Sequence, residues 1–172
     1  SEMCIRDRYN VCECMAGITI NDNMPALEKQ EWISVNDPAC GAGATLIAAA
    51  NIFYRKKINY QTQVLFTAND IDRVVAQMCY IQLSLLGCPG WVAVANTISN
   101  PVCGDPLMPD ERPGQEFWYT PFYFREEWNC RRQIQIFKEM RGSWITPIGA
   151  HNPGKITFYF DFEKGDYKCQ NS

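Results

Sequence analysis

The stretch Asp37-Pro38-Ala39-Cys40-Gly41-Ala42-Gly43 sets a carboxylate and two glycines between a short apolar run and an alanine-rich one. Glycine at 41 and 43 lets the backbone approach a ligand closely. It also leaves amide groups open at the start of the next helix, where the helix dipole favours negative or polar groups. Asp37, with Pro38 and Ala39 completing the turn, adds an acceptor for a cationic amino group or an ordered water. Asp70 and Asp72 end the next β-rich run, where a doubly wound sheet offers an acid to ribose hydroxyls. Acids at two adjacent strand ends beside a glycine turn suit a nucleoside with a zwitterionic tail better than a pyrophosphate. The third glycine of a dinucleotide fingerprint is replaced by Leu46, and no Gly-Lys-Ser/Thr follows.

The elements that must position these groups are legible from periodicity. Val11, Cys14 or Met15, and Ile18 predict a helix from Tyr9 to about Ile18, followed by the polar connector "NDNMPALEKQ". "EWISVND" is β-rich and stops at Asp37, because proline forces the preceding residue out of the helical region. Leu46, Ala49, Ala50 and Phe53 give a helix from about Ala42 to Tyr54 with one buried face. A second strand spans Thr62 to Asp72. Val74, Met78, Ile81 and Leu85 repeat the helical spacing, and Gly87 closes that helix ahead of Pro89. Gly90 to Ile98 is a third strand. Strand, helix, strand, helix, strand over 30–98 predicts parallel β-α-β units and an open doubly wound, Rossmann-like α/β sheet.

Beyond Ile98 the character changes. Pro101, Pro106, Pro109 and Pro113 forbid a long helix or central strand and predict an extended loop. The aromatic block Phe117 to Phe124 leads into a helix from Arg125 to Gly142, and "KITFYFDFEKGDYKC" reads as a terminal strand with a hairpin-like turn at Lys164-Gly165. The parallel pattern does not resume, so the expectation is an incomplete doubly wound sheet with an irregular, Pro- and aromatic-rich C-terminal part. Residues 9–98 form the α/β core in this reading and 99–172 pack on it. The opening "SEMCIRDR" reads as a non-native leader outside the fold.

A chain of 172 residues with 47% hydrophobic residues has the size and content of one domain. Of its nine cysteines only Cys12 and Cys14 are close together, and His151 is the only histidine, which fits reduced thiols and no metal site. With no long apolar run and no secretion leader, the expected location is the cytoplasm, with no membrane partner. The net charge of −3 supplies no electrostatic footprint for nucleic acid. The local candidate for a DNA grip is Arg125 to Gly142, where five Lys/Arg face three Glu, a composition that also describes an ordinary solvated helix face.

"NDPACGAGATL" resembles the cofactor loop of the adenine-specific (amino) DNA methyltransferases, especially the modification subunits of type I restriction systems and their phage-borne relatives. "ANDIDRVVAQM" is similar to the family's second element and "VAVANTI" to its third. "YNVCECMAG" resembles the tail of the helix after the family's Thr-Pro element, though the Thr-Pro itself is absent. The resemblance covers about Tyr9 to Ile98. It implies S-adenosylmethionine as cofactor, its methionine portion on Asp37, Pro38, Ala39, Gly41 and Gly43, its ribose on Asp70, and its adenine beside Ile71 and Asn96. It further implies DNA as partner and a specificity or companion subunit.

The family's Asn/Asp-Pro-Pro-Tyr/Phe catalytic element is missing, since the chain contains no Pro-Pro. Asn100 is the polar stand-in and Phe122 or Tyr123 the stacking one for an extruded base. A cofactor-binding module without transferase activity is the alternative that this absence favours.

Overall fold

The computed structural model describes residues 9–20, 31–142, 155–161 and 166–171. The leader 1–8, the connector over 21–30 and the turn at Lys164-Gly165 lie outside the described residues.

Helix α1 (9–20) precedes β1 (Ile33–Asp37), α2 (Ala44–Arg55), the single-turn α3 (Tyr60–Gln63), β2 (Val64–Asp70), α4 (Arg73–Leu86) and β3 (Gly90–Val94). Then come β4 (Cys103–Asp105), β5 (Met108–Asp110), β6 (Glu116–Tyr119), a 3-10 turn (Pro121–Phe124), α5 (Glu126–Gly142), β7 (Lys155–Asp161) and β8 (Asp166–Asn171). Six strands form one sheet in the order β6-β3-β2-β1-β7-β8. β3, β2, β1 and β7 run parallel, whereas β6 and β8 pair antiparallel at the two edges. The chain is therefore mixed α/β with a mostly parallel sheet.

Three expectations are corrected here. The parallel pattern does resume: β7 lies beside β1, with Val35 opposite Ile156. The aromatic block is partly strand, because β6 pairs with β3 from Trp91–Tyr119 to Val94–Glu116. The reason is Thr120, fully buried, whose hydroxyl accepts from the Gly90 amide at 3.0 Å and donates to the Cys88 carbonyl at 2.8 Å. That link pins the chain to the start of β3. The third strand also stops at Val94, short of Ile98, because the Asn96 side chain accepts from the Ile98 and Ser99 amides and turns the backbone away. Within the proline-rich loop only the short β4–β5 ladder forms.

β2 is the centre of the core. Val64, Phe66 and Ala68 join α2 and α4 in one cluster with Leu46, Phe53 and Leu83, while Leu65 joins Trp91, Tyr123 and Trp128 in another. Each large side chain buried this way contributes roughly 1.5–3 kcal/mol. Gly90 is required where β3 begins: its φ is 153°, and a Cβ there would sit 1.7 Å from the Phe66 carbonyl oxygen.

The predicted face of α2 is buried as expected at Leu46, Ala49, Ala50 and Phe53. The stripes that identify α1 and α4 behave differently. α1 buries Ala16 and Ile20 while Val11 and Ile18 are exposed. α4 buries Ala76, Cys79 and Leu83, and Val74, Met78, Ile81 and Leu85 face outward.

Candidate functional site

β1 ends at Asp37, and the turn that follows rises into α2 through Gly41 (φ 51°) and Gly43 (φ 89°), both left-handed. Long-range hydrogen bonds stitch this turn to its neighbours. The Cys40 amide donates to the Asn69 carbonyl at 3.1 Å, and the Gly41 amide donates to Asp70 Oδ2 at 2.8 Å. Asn69 Nδ2 donates to Thr97 Oγ1 at 2.6 Å, and Thr97 Oγ1 donates to the Pro38 carbonyl at 2.5 Å. The carboxyl ends of β1, β2 and β3 are thus laced into one rim. Strand order reverses beside β1, which has β2 on one side and the late-arriving β7 on the other. The crevice at such a reversal is where open α/β sheets hold ligands.

Asp37 is 8% exposed and accepts from the Ala39 amide at 3.1 Å. No ion pair among the described residues includes it. Burial pushes its carboxyl above the usual aspartate range, against the opposing pull of hydrogen bonds from Ala39 and Thr45. A buried carboxylate without a cation is an acceptor waiting for one. One turn further, α2 starts at Gly43 with no side-chain cap. Its first-turn amides therefore lack a helical or side-chain acceptor and carry the positive end of the helix dipole. Space over Gly41 is open, since a Cβ there would meet nothing within 4 Å. An acceptor for an ammonium and a donor set for a carboxylate stand side by side, which is the arrangement that an amino-acid tail needs.

The Cys40 thiol in the same turn is chemically quiet. The neighbouring Cys79 thiol and burial push it far above the ordinary thiol range, and it donates to the Gly41 carbonyl at 3.4 Å.

At the end of β2 the Asp70 carboxylate takes the Gly41 amide on one oxygen and the Asp72 amide, at 2.9 Å, on the other. Each oxygen keeps a further lone pair. Asp72 caps α4 by accepting from the Val74 amide at 2.7 Å. Ile71 stands on the rim, 69% exposed. Asn96 lies at the end of β3, its side-chain oxygen engaged by its own loop.

The three acceptor-side candidates are not brought together. Asn100 is bound into the loop, with Nδ2 donating to the Pro113 carbonyl at 3.2 Å and its backbone oxygen accepting from Gln115 Nε2 at 2.9 Å. Phe122 packs at Gly87, ahead of β3, which is the opposite end of that strand from Asn100. Tyr123 is buried, its hydroxyl donating to the Leu107 carbonyl. Two cations of α5 also turn inward: Arg131 donates to the Thr62 carbonyl at 2.5 Å, and Arg132 to the Tyr123 carbonyl at 2.8 Å.

Beneath the rim a cavity of about 80 Å³ is lined by Asn36, Thr67, Asn69, Trp91 and Thr97, with the strap from Pro101 to Pro106 as its other wall. It is too small for a nucleoside. Asn69 and Thr97 are the rim residues that sequence reading misses, because what they form is a tie between segments distant in sequence. Among the described residues no group of three or more His, Cys, Asp or Glu is placed to hold a metal ion. No described helix is long and apolar enough to cross a membrane. Comparison with family models, curated proteins and solved structures finds no match for this chain.

Proposed function

We propose that this chain binds S-adenosylmethionine across the carboxyl ends of β1, β2 and β3, in a doubly wound sheet of the methyltransferase kind, and that its lineage transfers a methyl group to the exocyclic amine of adenine in DNA. The observation that carries this reading is the buried, cation-free Asp37 one turn from the uncapped start of α2. Asp37 holds the ammonium of the methionine tail and the α2 amides hold its carboxylate. The remaining lone pairs of Asp70 accept from the ribose hydroxyls, and exposed Ile71 gives the adenine ring an apolar platform beside Asn96. The bound cofactor supplies an electrophilic methyl group; the chain's own residues bind and orient it. DNA and a specificity or companion subunit are the partners this reading implies.

Calorimetric titration of S-adenosylmethionine tests it. Saturable binding by the chain, lost in Asp70→Ala, is the expected result, and a folded chain that binds nothing overturns it.

The separation of Asn100 from Phe122 and Tyr123 favours a second reading, a cofactor-binding module without transferase activity. Tritiated methyl transfer to mixed-sequence DNA at saturating cofactor separates the two. Incorporation supports the enzyme, and intact binding without incorporation supports the module.

A further inference from the structure

α4 is apolar on both sides. Its inner face buries Ala76, Cys79 and Leu83 against α2 and the sheet. Half a turn away Val74 (65% exposed), Met78 (48%), Ile81 (54%) and Leu85 (83%) form a continuous outward stripe. From Val74 to Gly104 no side chain is charged, and Arg73, at the extreme end of the helix, is paired with Glu116 at 3.0 Å. A helix that is apolar all round belongs in an interior. By contrast, α5, where Ile134 and Phe137 are exposed, also turns Glu126, Glu127, Gln133 and Lys138 to solvent, as an ordinary solvated helix does.

The spacing of the α4 stripe suits a second copy of itself. Steps of four, three and four are those of a coiled-coil seam, and they read the same in both directions. An isologous twofold contact demands that symmetry: if residue i touches j, then j touches i. Antiparallel pairing of two α4 helices sets Val74 against Leu85 of a second copy and Met78 against Ile81. The flanking Gln77, Gln82 and Ser84 are neutral, so neither copy has to bury a charge.

We propose that two copies of this chain associate through α4, antiparallel across a twofold axis between Met78 and Ile81. The seam spans about three helical turns, less than the roughly 800 Å² per partner of a tight complex. The dimer is therefore weak and depends on concentration.

Sedimentation equilibrium of the full chain over roughly 1–200 μM, the micromolar range that such a seam supports, tests it. The apparent mass is expected to rise from 19.7 kDa towards twice that value. Met78→Glu and Ile81→Lys, each of which places a charge in the seam, should each raise the dissociation constant at least tenfold with unchanged circular dichroism. Mixing the two variants should restore association, because the antiparallel register sets the new carboxylate against the new ammonium. A chain that stays monomeric throughout, its stripe covered by its own residues or by a different protein, overturns the proposal. So does a dimer indifferent to Met78→Glu. Single variants that dissociate but do not recover on mixing overturn the antiparallel register.

Discussion

Asp37 separates binding from stability in a way that few side chains do. Its carboxyl is raised by burial, so the folded state binds a proton more tightly than the unfolded chain. Stability from this group is fully present below the ordinary aspartate value and declines as pH rises through the raised one, because the native state then holds more protons than the unfolded state. Asp37→Asn keeps an oxygen for the Ala39 amide and removes the buried charge. Its melting temperature should be no lower than the parent's at pH 7. S-adenosylmethionine affinity should fall about 10–100-fold with the loss of a charged hydrogen bond worth roughly 1.5–3 kcal/mol. A residue with a purely structural role would move both measurements the same way. In the parent, affinity should weaken on acidification from above the ordinary aspartate range, and that slope should vanish in Asp37→Asn. Titrations at a series of pH values read it directly. The turn from Asp37 through Gly41 and Gly43 was legible in the sequence because it follows from local spacing. Asn69 and Thr97 were not, because hydrogen bonds across three strand ends leave no local pattern.

Between elements, α2 meets α4 closely at Gly43. A Cβ on Gly43 would lie 2.8 Å from Cys79 Sγ in a left-handed conformation that alanine enters at a cost of roughly 1–2 kcal/mol. Gly43→Ala should destabilise by about 2–4 kcal/mol in urea unfolding, the steric and backbone costs together. Adding Cys79→Ala removes the sulfur and should recover the steric part alone, so the two changes couple in a double-mutant cycle. Thr120→Val tests the tie between β6 and β3. It leaves the Gly90 amide and the Cys88 carbonyl buried without that partner and should cost about 2–4 kcal/mol, at roughly 1–3 per unsatisfied group. Periodicity located α2, α4 and the first three strands, since each follows from neighbours in sequence. It did not tell which way a stripe faces: in α4 the large apolar residues point outward while alanine, cysteine and leucine fill the tight gap to the sheet. It also missed β6, whose pairing is decided by one buried threonine distant from its partners.

At the scale of the whole molecule the site exists because the chain leaves β3, passes through the β4–β5 ladder, β6 and α5, and returns to the far side of β1 as β7. Nothing local announces that return, because β6, the strand before α5, joins the sheet antiparallel and breaks the run of parallel units; hence the sequence reads as half a sheet. The consequence is a dependence of the candidate crevice on a strand more than a hundred residues from the glycine turn. β1 is paired on both sides, by β2 from Ile33–Val64 to Asp37–Ala68 and by β7 from Ser34–Lys155 to Asn36–Thr157. Ending the chain after Gly142 would turn this buried central strand, with Ile33 and Val35 almost wholly inaccessible, into an open edge. Unpaired apolar edges template association. The shortened chain should therefore have a lower urea midpoint and scatter light at concentrations where the full chain does not, and it should lose S-adenosylmethionine affinity even though every residue assigned to the cofactor is still present. Binding that survives the truncation unchanged would mean that the glycine turn and the ends of β2 and β3 suffice, and that β7 serves only the stability of the sheet.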